Sequence, residues 1–141
     1  MTPVSRKSDP RISLLPRKIL IVDDDLHSIA TLTQILLQNG YEVLHAEDND
    51  RAAKIARLSR PDMIICNADS KKVNALQFLK LMREGLQTRN AAILVLTEQR
   101  EILEQEPGLL APAQLLMRPF TREQLAIAVQ ENLRHRRGRE R

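Results

Sequence analysis

The chain has 141 residues, 43% of them hydrophobic and only 2% aromatic, so it has the length of one domain with an aliphatic core and is too apolar to be disordered throughout. Its longest uninterrupted apolar run, residues 91–96, falls far short of the ~18 residues that cross a bilayer, and Pro3, Asp9 and Pro10 stand where a secretory leader would be apolar. The net charge of +4 is unevenly placed: residues 1–18 carry five Lys/Arg against one Asp, residues 134–141 five Arg against one Glu, and residues 19–133 between them 12 basic against 16 acidic side chains. Residues 1–17 read as a flexible basic extension, 18–133 as the folded domain, and 134–141 as a basic tail.

Within the domain, Ile19-Leu20-Ile21-Val22 is a continuous aliphatic run that ends in Asp23-Asp24-Asp25, the pattern of a fully buried strand meeting a polar turn. Ile29, Leu32, Ile35 and Leu36 then fall on one helical stripe, with Asp25 placed to cap its start and Gly40 to end it. Residues 41–46 read as an edge strand and 51–58 as a short alanine-rich helix. Met63-Ile64-Ile65-Cys66 is a second buried run, closed by Asn67. A helix carrying Leu76, Phe78, Leu79, Leu81 and Met82 runs to about Gly85. Residues 92–96 form a fourth strand ending at Thr97. The next helix is expected to be short or distorted, because Pro107-Gly108 interrupts it and an interior proline costs about 3 kcal/mol or more. Leu115-Leu116-Met117 is a short fifth strand before Arg118-Pro119-Phe120, and Thr121 caps a last helix with Leu125, Val129 and Leu133 on one stripe.

Five strands thus alternate with five helices, which predicts an α/β fold with a parallel sheet covered on both faces. In such sheets the functional crevice lies at the carboxyl ends of the strands. Asp23, Asp24, Asp25, Asn67, Thr97 and Arg118 should therefore converge. The single cysteine, Cys66, lies in a buried run and fits core packing in a reducing cytoplasm.

Four segments in this order, residues 18–25, 61–66, 93–97 and 118–120, resemble the response-regulator receiver domain. The resemblance covers residues 18–133. It implies a flavodoxin-like, doubly wound five-stranded sheet in the order 2-1-3-4-5. It implies an acidic pair, Asp23 and Asp24, that helps hold Mg²⁺, and an acceptor aspartate at the end of the third strand. It further implies a Thr, here Thr97, and a Lys that contact the phosphoryl group. The Lys-Pro bond of the family is commonly cis, so Arg118-Pro119 is expected to be cis.

The chain departs from that pattern where the chemistry lies. The acceptor position is Asn67, the lysine position is Arg118, the aromatic switch position is Leu115, and the following loop reads Asp69-Ser70-Lys71-Lys72-Val73-Asn74-Ala75. An amide is neutral and a poor nucleophile where a carboxylate is charged. Replacing one carboxylate beside a cation removes a gross attraction on the order of 4 kcal/mol at 4 Å with an effective dielectric of 20. Mg²⁺ held by Asp23, Asp24 and Asn67 is thus expected to be weak, and no cofactor is required. Arg118 is expected to pair with Asp23 or Asp24 through parallel hydrogen bonds and to hold the site closed without metal. Asp69, two residues past Asn67, reads as a loop carboxylate, with a surrogate phosphoacceptor as the alternative.

These residues point to a degenerate receiver that docks on a signalling protein, whether a histidine kinase, another receiver or an output protein, without being phosphorylated. Leu115, Phe120 and Leu125 are the candidate interface, with a second copy of the chain, in a homodimer, among the candidate partners. Alternatives are a phosphorylatable or ligand-sensing receiver and a small Mg²⁺-dependent phosphohydrolase, suggested by Asp23-x-Asp25 and Thr97. Nucleic acid enters only through the arginine-rich tails, which contain no aromatic residue for stacking.

Overall fold

The computed structural model describes residues 15–134. Masses of aliphatic strand residues dictate its layout. β1 (Lys18–Val22), β3 (Met63–Asn67) and β4 (Ala92–Thr97) form the buried centre of a parallel sheet whose order is β2-β1-β3-β4-β5, with β2 (Glu42–Ala46) and β5 (Leu115–Met117) at its edges. This is the doubly wound, flavodoxin-like arrangement.

Strand side chains alternate between the two faces. Leu20, Val22, Ile64, Cys66, Ile93 and Val95 point to one face and Ile19, Ile21, Met63, Ile65, Leu94 and Leu96 to the other. The first face is covered by α2 (Asn49–Ser59), α3 (Ala75–Glu84) and α4 (Ile102–Gln105), the second by α1 (Leu26–Gln38) and α5 (Arg122–Arg134).

Local chemistry sets the helix ends. The Asp25 carboxylate accepts from the His27 and Ser28 backbone N–H groups, Asp48 from Arg51 and Asn74 from Gln77, so each long helix on the strand-end side starts on a capping side chain. Thr121 and Gln124 cap α5 reciprocally, each side chain accepting from the other's backbone N–H at 3.0 and 2.8 Å. Gly40, after α1, has a φ of +88° that a side chain would strain. Gly85 ends α3 for a different reason: a Cβ there would stand 2.6 Å from Thr88 Oγ1, whose hydroxyl donates to the Met82 carbonyl at 2.7 Å.

α4 is a single turn. Pro107 cannot donate a helical hydrogen bond, and Gly108 turns the chain with a φ of +89°. A 3-10 turn, Pro112–Gln114, then delivers the chain to β5. The Arg118-Pro119 peptide is cis.

The basic extension over residues 1–14 and the tail over 135–141 lie outside the described residues, and with them the tail-mediated nucleic-acid reading. Arg17 and Arg134, from which the two tails continue, line one cleft with Tyr41. Among the described residues no helix is long and apolar enough to cross a membrane. Burial, reinforced by the Asp23 carboxylate, pushes the Cys66 thiol up to about 12, so it stays protonated and unreactive at neutral pH.

Candidate functional site

Parallel pairing brings the strand ends to one edge. Val22 pairs with Cys66, Asn67 with Leu96, and Thr97 with Met117. The ladder continues past the strands through Asp23 N–H to the Ala46 carbonyl at 3.0 Å, Ala68 N–H to Leu96 at 2.8 Å and Arg118 N–H to Thr97 at 2.9 Å. Asp23, Asn67, Thr97 and Arg118, spread over nearly a hundred residues, therefore meet at one edge of the sheet, where Asn67 and Arg118 line a cleft and Asp23 and Thr97 are buried.

Asn67 is the centre of the network. It is 8% exposed. Its Nδ2 donates to Asp23 Oδ1 at 3.0 Å. Its Oδ1 accepts from the Asp69 backbone N–H at 2.9 Å and from an Arg118 guanidinium nitrogen at 3.1 Å. A carboxylate faces the donor end of the amide, and a cation and an N–H face the acceptor end. An amide satisfies both sides at once, whereas an ionised carboxylate, which only accepts, does not.

Asp23 is fully buried, and its charge is met by protein donors. Besides Asn67, Asp25 N–H reaches Oδ1 at 3.0 Å and the Ser28 hydroxyl reaches Oδ2 at 2.6 Å. Asp24 is half-buried on the rim of the cleft.

Arg118 does not pair with Asp23 or Asp24. Its ion-pair partner is Asp69, at 3.4 Å, with the two side chains 22% and 28% exposed. The reason is that Asp23 already has a full set of donors, whereas the turn after β3 swings Asp69 towards β4 and β5. There the Asp69 carboxylate also accepts from Thr97 Oγ1 at 2.8 Å and from the Glu98 backbone N–H at 2.9 Å. Asp69, read from the sequence as a loop carboxylate or surrogate acceptor, is thus the residue that meets Thr97, Glu98 and Arg118, contacts the sequence did not reveal.

The residues that would hold Mg²⁺ do not fit a tightly bound ion. Asp23 is directed at three protein donors, and a guanidinium occupies the Asn67 oxygen. Among the described residues no group of three His, Cys, Asp or Glu side chains could hold a metal.

Of the candidate interface residues, Leu115 and Phe120 are half-buried at the domain edge, and Phe120 lines the cleft, which has a volume of about 610 Å³. Leu125 is fully buried and is therefore no interface residue: it faces the sheet with Val129 and Leu133, and the apolar side chain that α5 shows to solvent is Ile127, 57% exposed.

A family model described as the response regulator receiver domain matches residues 19–130. The chain is 30% identical over 115 residues to the Probable chemotaxis protein CheY of Rhizobium etli, covering 80% of this chain and 89% of that one. It is 33% identical over 120 residues to the alkaline phosphatase synthesis transcriptional regulatory protein PhoP of Bacillus subtilis, covering 84% of this chain and 49% of that one. The chain spans about half the length of the transcriptional regulators it matches. Among solved structures it is similar to chemotaxis response regulator CheY4 of Vibrio cholerae, with a TM-score of 0.74, 29% identity, and coverage of 82% of this chain and 98% of that one. These relatives leave no place for the phosphohydrolase alternative. The chain belongs to the response-regulator receiver domain family, which consists of signalling proteins and not enzymes.

Proposed function

We propose that this receiver domain acts in two-component signal transduction as a phosphorylation-independent protein-protein interaction module. Asn67 carries this reading. At the end of β3, where the family places its acceptor aspartate, stands a neutral amide with both ends engaged. It has neither the charge nor the free oxygen for attack on phosphorus. Conversion to aspartate by ring closure requires the Ala68 nitrogen to attack the side chain, and that N–H is tied to the Leu96 carbonyl at 2.8 Å. Mg²⁺ at Asp23 and Asp24 is weak and unnecessary on this reading.

The partner is a histidine kinase, another receiver or an output protein, in a reducing cytoplasm compatible with the buried free thiol. The docking face we assign is the β5 edge with its flanking helices. Its shape differs from a regular receiver's because α4 is one turn long and leaves a cleft of about 480 Å³, lined by Arg83, Leu109, Leu110, Gln114 and Asn132. The half-buried Leu115 and the exposed Ile127 supply its apolar contacts. A homodimer through the same face is one form of this reading.

The test is backbone NMR of the wild-type chain titrated with beryllofluoride and Mg²⁺, which imitate a phosphoryl group on a receiver aspartate. The expected result is no saturable shift at Thr97, Glu98 or Leu115. Stoichiometric shifts at those residues would establish a competent receiver and overturn the reading.

A further inference from the structure

Three hydrogen-bond donors converge at the ends of β4 and β5: the Thr97 hydroxyl, the Glu98 backbone N–H and the Arg118 guanidinium. All three meet the Asp69 carboxylate, at 2.8, 2.9 and 3.4 Å. A hydroxyl, an amide and a guanidinium on one centre are the donors that hold an oxyanion. Thr97 is committed to that role. Its oxygen accepts the Gln99 N–H at 3.0 Å, its proton goes to Asp69, and at 1% exposure it has no water to replace that acceptor.

We propose that Thr97, Glu98 and Arg118 form an oxyanion-binding site whose resident ligand is this chain's own Asp69. The tethered carboxylate keeps the turn after β4 and the Arg118 side chain in an anion-bound arrangement, and it excludes small oxyanions from the cleft. A tethered group competes at an effective concentration in the millimolar range or above, so free anions at ordinary concentrations do not displace it. Beside the site, Ser70 lines the same cleft, and its buried hydroxyl has no hydrogen-bond partner among the described residues. The inference deepens the phosphorylation-independent reading and rests on it for one consequence: with an anion already in place, the domain holds its docking face without a phosphoryl donor.

The test is a titration of inorganic phosphate, at constant ionic strength, into the wild-type chain and an Asp69→Ala variant, followed by NMR of the Glu98 and Gln99 amides and the Arg118 side chain. Wild type is expected to show no saturable shift. Asp69→Ala is expected to bind at least about tenfold more tightly than wild type, by the loss of the tethered competitor, with shifts centred on Glu98 and Arg118. Adding Arg118→Met to that variant should abolish the gain. Equal binding by both proteins, or a gain centred on Lys71 and Lys72 instead, would overturn the proposal. If Asp69→Ala does not fold, Asp69→Asn, which keeps the shape and removes the charge, is titrated in the same way, with a gain supporting the site and its absence overturning it. The assay reads non-covalent anion binding, so it can fail while Asn67 remains unphosphorylated, and the two claims are separable.

Discussion

An Asn67→Asp variant is expected to be less stable than wild type in the presence of EDTA and to recover in millimolar Mg²⁺, whereas wild type should respond little to the metal. The wild-type amide donates to the buried Asp23 carboxylate at 3.0 Å. The variant sets a second carboxylate oxygen there, with a gross repulsion on the order of 5 kcal/mol at 3 Å and an effective dielectric of 20. Two effects reduce it: Arg118 stands 3.1 Å from the other side of residue 67, and one carboxyl of a crowded pair can take a proton. The loss of a charge-assisted hydrogen bond remains, at about 1.5–3 kcal/mol. For a domain of this size that lowers the melting temperature by roughly 5–10 °C. Mg²⁺ reverses the sign because Asp23, Asp24 and the new carboxylate together supply the hard oxygen ligands that the wild-type set lacks. Thermal unfolding of both proteins with EDTA and with Mg²⁺ checks this. An unchanged melting temperature in EDTA would show that Asn67 does not hold Asp23 as described.

Phe78→Ala should cost about 3–5 kcal/mol, the range for truncating a buried aromatic side chain. The chain has two phenylalanines, one tyrosine and no tryptophan, and Phe78, 1% exposed on α3, is the one aromatic ring at the centre of the core. Its neighbours in the same cluster include Ala52, Ala53, Ala56 and Ala75, which have no length with which to fill the gap. Against a typical total of 5–15 kcal/mol such a loss is a large fraction of the stability. Leu81→Ala, on the same helix but 47% exposed, should change it by no more than about 0.5 kcal/mol. Urea unfolding separates the two, and similar midpoints would contradict the packing described.

The strands were legible because each central one is an unbroken aliphatic run, as burial on both faces requires, and the parallel order follows from their alternation with amphipathic helices. Pro107-Gly108 marked α4 as defective, though not that a single turn survives. The meeting of Asp23, Asn67, Thr97 and Arg118 also followed from topology, since each is the last residue of a strand or the one after it. Which of them touch did not follow. Arg118 finds Asp69 instead of the acidic pair, because partner choice depends on the turn after β3 and on the prior engagement of Asp23. Ser28, one turn into α1 and within reach of Asp23, was the available sign that this carboxylate has internal donors. The burial of Leu125 was legible too: the spacing that joins it to Val129 and Leu133 on one stripe turns it to the sheet and away from any partner.

The central claim is that this receiver cannot carry a phosphoryl group on Asn67. Intact mass after incubation with Mg²⁺ and acetyl phosphate, for wild type beside Asn67→Asp, tests it most directly. The account predicts no gain for wild type, and a gain of one phosphoryl group for Asn67→Asp once Asp69→Ala has also removed the carboxylate that fills the Thr97 and Arg118 site. A phosphoryl group on wild-type protein would contradict it.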